Sequence, residues 1–224
     1  MTLSDSESSC TTRTRLIEAA IFCFAEKGFD ATGIREIAKL AQANSALVQY
    51  HFGGKEGLYR ETLRHIFQHR PPALAAPPED PAAADARPRA IQAIRQMIYN
   101  LVEELMSCSN GTDLDRAALF LVTRELQAPR PEVAPLLLEH IRPYSEQLEI
   151  CLRILLPGLE RTRMLNMVLS VYGQIFHLHS NLNLIRIMRE DPGFPADLQA
   201  LADHFADFSL RGIGIPEAFK SIGA

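Results

Sequence analysis

Ser45 and Gln49 stand one helical turn apart, and Tyr50, His51 and Lys55 follow closely, with Arg35 upstream. A hydroxyl and a carboxamide can bond the edges of bases. A phenol, an imidazole and an ammonium group can donate to phosphate oxygens, and a guanidinium can do either. These types in this order therefore suit contact with a nucleic-acid duplex. Asn44, just before them, suits the start of a helix, because its side-chain oxygen can accept a first-turn N–H.

The elements that must position them can be read from apolar spacing. Ile34, Ile37, Ala38 and Ala41 line one face of a short helix, with Thr32 or Gly33 as its cap. A turn is expected near Gln42-Ala43. A second short helix then runs from Asn44, with Val48 and Phe52 facing inward. Two short helices joined by a tight turn form a helix-turn-helix, whose second helix can enter the major groove. The same corner also occurs in all-helical proteins that never touch DNA. Spacing alone thus leaves two readings open, a DNA contact or a packing corner in which Tyr50 and His51 are structural. Upstream, Leu16, Ile17, Ala20, Ile21 and Phe24 mark a longer helix that Gly28 ends. The first-turn amides of that helix, taken to begin at Arg13, could meet a phosphate.

The rest of the chain also shows helical spacing. Ile91, Ile94, Met97, Ile98, Leu101 and Leu105 form one series. Leu136, Leu137, Ile141, Leu148, Leu152 and Leu155 form another, and Leu198, Leu201, Phe205 and Phe208 a third. Breaks fall at Asn110-Gly111, Pro129–Pro131, Pro157-Gly158, Pro192–Pro195 and Gly212–Pro216. Sustained alternation, a hairpin signal and a Gly-rich phosphate loop are all missing. The expected fold is all-α, with about nine helices. It comprises an N-terminal three-helix helix-turn-helix domain and a larger C-terminal helical domain.

Composition sets the boundaries. The 224 residues are 47% hydrophobic and 22% charged, which is a globular balance. The formal net charge of −4 excludes a histone-like basic coat. The charge is uneven, however. Residues 11–70 hold nine basic and six acidic side chains, whereas residues 71–224 hold 14 and 19. Between them lie Pro71, Pro72, Pro77, Pro78 and Pro81, through which no helix can run. The expected layout is therefore a helix-turn-helix domain over 10–54, a connecting helix over 55–70, a Pro/Ala-rich linker over 71–86 and a larger, acidic C-terminal helical domain over 87–215.

Cys10, Cys23, Cys108 and Cys151 lack metal or redox spacing and read as free thiols. The polar N-terminus lacks the features of a signal peptide, so a cytoplasmic location is expected. Met164 to Ile185 carries no Asp, Glu, Lys or Arg, but Asn166, Ser170, Gln174, His177, His179, Ser180, Asn181 and Asn183 make a membrane span costly. That stretch is expected inside protein or between subunits, without membrane contact. His140, His177, His179 and His204 have no ligand spacing, and no nucleophile–base set is grouped. No enzyme, metal or cofactor is expected.

Residues 13–59 resemble the TetR/AcrR family of bacterial transcriptional regulators. The resemblance is carried by Ile17 to Ala20, by Phe24-Ala25-Glu26-Lys27-Gly28-Phe29 and by Ala31-Thr32. It continues through Ile34-Arg35-Glu36-Ile37-Ala38, Ala41 and Tyr50-His51-Phe52-Gly53-Gly54-Lys55-Glu56-Gly57-Leu58-Tyr59. The pattern Asn44-x-Ala46-x-Val48-x-Tyr50-His51-Phe52-Gly53 is similar to the branch with a CecR-like C-terminal domain. Leu121-Val-Thr-Arg124-Glu125-Leu and the helix after Pro131 are similar to that branch too. Three positions depart from the family pattern. Gln42 replaces the usual turn glycine, Gly33 stands near a usual Ser or Thr, and Gln49 occupies a place where Tyr is common. Gln42 is therefore expected either in a left-handed conformation or in a turn of shifted geometry, and Gln49 is expected to contact a base.

The resemblance implies a repressor that binds double-stranded DNA as a homodimer through Arg35, Asn44, Ser45, Gln49, Tyr50, His51 and Lys55. It implies a palindromic operator, an interface built from the last two long helices (about 162–188 and 196–211), and a cavity for a small apolar or amphipathic effector. Candidate cavity residues are Met97, Tyr99, Phe120, Arg124, Gln174, Phe176 and His177, chosen as polar interruptions or apolar walls. Two alternatives stand beside this reading. One is an all-helical enzyme or carrier with a structural corner. The other is a regulator that senses a protein partner or a cysteine such as Cys108.

Overall fold

The computed structural model describes residues 3–70 and 74–215, with side chains from Thr11 onward. The described residues form ten α-helices and no strand. In chain order these are α1 (Leu3–Ala31), α2 (Ile34–Leu40), α3 (Ala46–Phe52), α4 (Lys55–His69) and α5 (Ala86–Asn110). They continue with α6 (Asp113–Gln127), α7 (Ala134–Leu155), α8 (Arg161–Ser180), α9 (Leu182–Met188) and α10 (Leu198–Gly212). The connecting helix expected over 55–70 is α4. Of the expected linker over 71–86, residues 71–73 lie outside the described residues, as do the Cys10 side chain and Pro216. Residues 74–85 are non-helical. Asp80 organises a turn there, accepting from the Ala82 amide at 2.9 Å.

Several helix ends differ from the sequence reading. The first helix begins at Leu3, so the amides near Arg13 are internal to it and cannot bind a phosphate. Gly28, at φ 76°, breaks its helical path, as expected. The uncharged stretch is two helices, α8 and α9, separated at Asn181. The Asn181 amide bonds back to the His177 carbonyl at 3.1 Å. Among the described residues, no helix is long and apolar enough to cross a membrane.

The chain packs as two compact units. One holds the described residues up to 70 together with 108–140; the other holds 74–107 and 141–215. The division does not follow the expected boundary at residue 87. The first unit's apolar core joins Leu16, Ile17, Phe24, Ile37, Val48, Leu58 and Leu63 to Ala118 and Leu121 of α6, and to Val133 and Leu137 beyond it. The helix-turn-helix region therefore shares one core with a segment more than fifty residues away in sequence. α6 opens with a capping box, in which Thr112 and Asp115 satisfy each other's amides. The second unit's core is formed by α5, α7, α8 and α10 around Ile94, Met97, Ile98, Leu148, Leu152, Val171 and Leu210. Cys23, Cys108 and Cys151 are all buried and outside any disulfide, as read from the sequence.

Candidate nucleic-acid interface

The corner between α2 and α3 is closed by main-chain bonds. The Ala43 amide donates to the Ala38 carbonyl at 2.9 Å, and the Gln42 amide donates to Lys39 at 3.1 Å. This pair is a Schellman ending, which places its central residue in the left-handed region. Gln42 occupies that place with φ 50°, as the missing glycine implied. Asn44 then starts α3. Its Oδ1 accepts the Ala46 amide at 2.9 Å and its carbonyl accepts the Leu47 amide at 2.9 Å. Thr32, in contrast, does not cap α2. Its buried hydroxyl donates to the carbonyls of Gly28 (2.6 Å) and Cys23 (3.0 Å), tying off the end of α1 instead. Gly33 is extended and provides no side-chain cap.

α3 turns Val48 fully into the core and leaves the opposite face open. That face carries Ala46, Gln49 and Tyr50, all exposed, with Tyr50 at 79%. Ser45 and His51 are half-buried at its margins, and Arg35 and Lys39 are exposed on α2. Ala46 and Lys39 were not singled out in the sequence. The signal was available for Ala46, which is three and four residues before Gln49 and Tyr50, the helical spacing of one face. A methyl group there can meet a thymine methyl.

The end of α3 is pressed tightly against α4. A Cβ at Gly57 would lie 1.7 Å from the Phe52 carbonyl oxygen, so no other residue fits there without moving backbone. Lys55 is half-buried and has an internal duty. Its Nζ donates to the Asp30 carbonyl at 3.2 Å and lies 4.6 Å from the centre of the Phe29 ring. An ammonium has three donors, so a phosphate contact stays open to it.

Behind the corner is a cluster of charges and rings within the first unit. Arg130, after α6, pairs with Asp30 at 2.6 Å and stacks on Phe29 at 4.4 Å. Phe24, Phe29 and Tyr59 pack together, with Tyr59 edge-on to Phe24 at 4.8 Å. Glu125 of α6 is 4% exposed. The Tyr59 hydroxyl donates to its carboxyl, and Arg130 Nε stands 3.6 Å from Oε1. Glu125 Oε2 has no hydrogen-bond partner among the described residues. Burial raises the Glu125 pKa above its ordinary value of 4.5, against the opposing pull of Tyr59 and Arg130. Burial, with Glu125 adding to it, also raises the Tyr59 phenol. At the start of α6, Arg70 reaches both Asp115 and the Cys108 sulfur, joining the end of α4 to that segment.

The residues expected to line an effector cavity are dispersed. Met97 is in the second core, and its sulfur accepts from the Tyr172 hydroxyl at 3.4 Å. Tyr99 is half-buried and bonds Glu103 at 3.4 Å. Gln174 donates to the Ser170 carbonyl and to the Ser209 hydroxyl, each at 3.0 Å. Phe176 and His177 are exposed. The buried face of α8 runs through Met164, Val168, Val171, Ile175 and Leu178, which turns 176 and 177 outward. Phe120 (59% exposed) and Arg124 belong to the first unit, on the outer side of α6. There the Arg124 guanidinium covers Gly28; a Cβ at that glycine would meet it at 2.5 Å. No group of three or more His, Cys, Asp or Glu among the described residues is arranged for a metal ion.

A helix-turn-helix whose turn is closed by main-chain bonds, and whose second helix leaves Gln49 and Tyr50 exposed, fits a DNA-binding transcription regulator. Residues 16–62 match the family of bacterial regulatory proteins called the tetR family, and residues 94–213, over half of the chain, match the C-terminal domain of the HTH-type transcriptional dual regulator CecR. The chain belongs to the TetR family of transcriptional regulators, in the branch with a CecR-type C-terminal domain. Among relatives, the "Probable HTH-type transcriptional regulator YttP" of Bacillus subtilis (strain 168) is 40% identical over 58 residues, which is 26% of this chain and 28% of that one. The HTH-type transcriptional repressor NicS of Pseudomonas putida (strain KT2440) is 38% identical over 56 residues, 25% of this chain and 26% of that one. The chain thus spans less than a third of the length of these relatives. Over the whole fold it is similar to the TetR family regulator PfmR from Thermus thermophilus. That likeness has TM-score 0.59 and 18% identity, and covers 89% of this chain and 95% of that one.

Two outcomes follow. Replacing Gln42 by Gly removes the left-handed penalty of a side chain, about 1 kcal/mol, and raises the thermal midpoint by roughly 2–4 °C; a lower midpoint would show that the Gln42 side chain holds the turn. Glu125 binds its proton more tightly folded than unfolded, so it draws stability away as pH rises above about 4.5. Thermal midpoints of Glu125→Gln measured against pH are expected to gain on the wild type from pH 4.5 upward, and parallel curves would contradict this.

Proposed function

We propose that this chain is a dimeric, ligand-responsive regulator, acting as a repressor on a palindromic operator and released by a small apolar or amphipathic effector. The open face of α3 carries the reading. Ala46, Gln49 and Tyr50 project from a helix whose opposite side is locked into a core, with Asn44 fixing its start. Gln49 is assigned to a base edge. Tyr50, His51, Lys55 and Arg35 are assigned to phosphates, and Ser45 to either. Action on a bacterial operator places the protein in the cytoplasm.

Dimerisation is supported by an apolar face on the last long helices. Leu165, Leu169 (69% exposed) and Phe176 stand outward on α8, as does Phe208 (62% exposed) on α10. Large apolar side chains in such a set mark an association surface. A two-fold dimer presents two α3 helices to successive major grooves about 34 Å apart. An effector that favours another spacing weakens DNA binding, and by linkage the operator weakens effector binding by the same factor. NicS is itself named a repressor, which agrees with the sign assigned here. The alternative of an enzyme or carrier with a structural corner gains no support from a family made of regulators.

Gel shifts on the duplex upstream of the gene test this. Affinity is expected to fall steeply with salt as phosphate contacts release counterions. Gln49→Ala is expected to relax preference at one base pair, at about 1–3 kcal/mol. Tyr50→Ala is expected to weaken all sequences alike. Salt-independent or sequence-blind binding by the wild type would overturn the reading. Separately, Leu169→Glu buries a charge in the proposed seam, so sedimentation is expected to give a monomer and operator affinity to collapse. A dimer of unchanged affinity would place the interface elsewhere.

A further inference from the structure

Among the described residues, the second unit buries two polar side chains, Ser209 and Gln147. Ser209 is satisfied by Gln174 at 3.0 Å. Gln147, on α7, is 4% exposed, and neither its Nε2 nor its Oε1 has a hydrogen-bond partner among the described residues. Buried amides are nearly always paired, because leaving water without a new partner is costly for both atoms. A glutamine kept unpaired in an otherwise apolar core marks a place where something else supplies the bonds.

Its surroundings narrow what that is. One turn along α7 is Cys151, whose thiol is pushed up to about 11 by burial and so stays neutral. Cys151 is close enough to Tyr172 of α8 to add to the rise that burial imposes on that phenol. Among the described residues, the Tyr172 hydroxyl finds only a thioether partner, Met97 on α5, at 3.4 Å. A thioether is a weak acceptor. The core thus holds an amide with donor and acceptor idle, and a phenol on a poor partner, among aliphatic side chains. It holds no ionised group. Of the charged side chains around it, Arg95 and Arg211 pair with Asp207, and Glu104, half-buried on α5, accepts from the hydroxyl of Tyr144 one turn before Gln147 at 3.1 Å. A carboxylate or ammonium brought into this core would be buried without a counter-charge.

We propose that Gln147, helped by Tyr172, anchors an uncharged effector that carries both a hydrogen-bond donor and an acceptor, such as a primary amide or an alcohol, on an apolar body. This rests on the regulator reading only for the word effector. The anchor itself follows from the second core.

The test uses the full-length protein and ten-carbon probes that differ in their polar end: decanamide, decan-1-ol, decanoate and decyltrimethylammonium. Affinities are read by calorimetry and by thermal midpoint. Decanamide and decanol are expected to bind at least tenfold more tightly than the two ions. Gln147→Met, of similar shape and apolar, is expected to have an equal or higher midpoint without ligand and to lose at least tenfold in decanamide affinity. Tyr172→Phe is expected to lose severalfold. The proposal is overturned if the wild type takes no decanamide, if the ions bind as well, or if Gln147→Met binds decanamide unchanged. Gel shifts without ligand are run on the same proteins, and wild type and Gln147→Met are expected to retard the upstream duplex equally. A protein that binds decanamide through Gln147 but never that duplex supports the anchor and sinks the regulator reading. One that binds the duplex but fails the decanamide tests sinks the anchor alone.

Discussion

The helices that carry the proposed DNA-contacting residues do not close their own core. Leu16, Ile17 and Phe24 of α1, Ile37 of α2 and Val48 of α3 are buried together with Leu121 of α6 and with Val133 and Leu137 beyond it. Burying a leucine-sized side chain contributes roughly 1.5–3 kcal/mol, and a three-helix unit of this size has few such contributions to lose. The α6 segment is therefore part of what makes α1 to α3 a rigid body. Arg130 reinforces the joint by holding Asp30 and covering Phe29, the same ring that Lys55 covers. Glu125 stands in that joint with one oxygen unpartnered, a cost accepted where α4 and α6 meet.

From this constraint the placement of chemistry follows. With Val48 fixed inward, Ala46, Gln49 and Tyr50 have to face solvent, and Asn44 sets the helix start from which they are counted. The second unit works under the opposite condition. Its core excludes ionised groups and keeps one amide unpaired, while the outer faces of α8 and α10 leave large apolar side chains uncovered. A polar reading face, an uncharged interior and an apolar exterior are three surfaces of different solvent preference on one chain. They correspond to the three partners proposed above: duplex, neutral small molecule and second copy.

How much of this was legible in the sequence depended on whether the signal was local. The α2–α3 corner, the bounds of α4 and the left-handed Gln42 could be read, because capping, periodicity and turn chemistry act over a few residues. The start of α1 was placed too late, since Leu3 to Thr12 offers no apolar stripe to announce a helix. Thr32 was a reasonable cap by type, yet its hydroxyl bonds backward to Gly28 and Cys23. Phe176 was chosen as an apolar wall and His177 as an interruption of an apolar face, but the buried stripe of α8 passes on the other side. The membership of α6 in the first unit had no local signature at all. Nothing around Leu121 says which distant helix it will meet, so that part of the fold could come only from three-dimensional packing.

The central claim is that α6 and the helix-turn-helix region stabilise each other as one cooperative unit. Hydrogen exchange on the full-length Leu121→Ala variant tests it most directly. A cavity at a fully buried leucine costs about 2–5 kcal/mol, and amides of α1, α2 and α3 are expected to lose protection together with those of α6, to a similar extent. Loss confined to α6, with α1 to α3 exchanging as in the wild type, would contradict it.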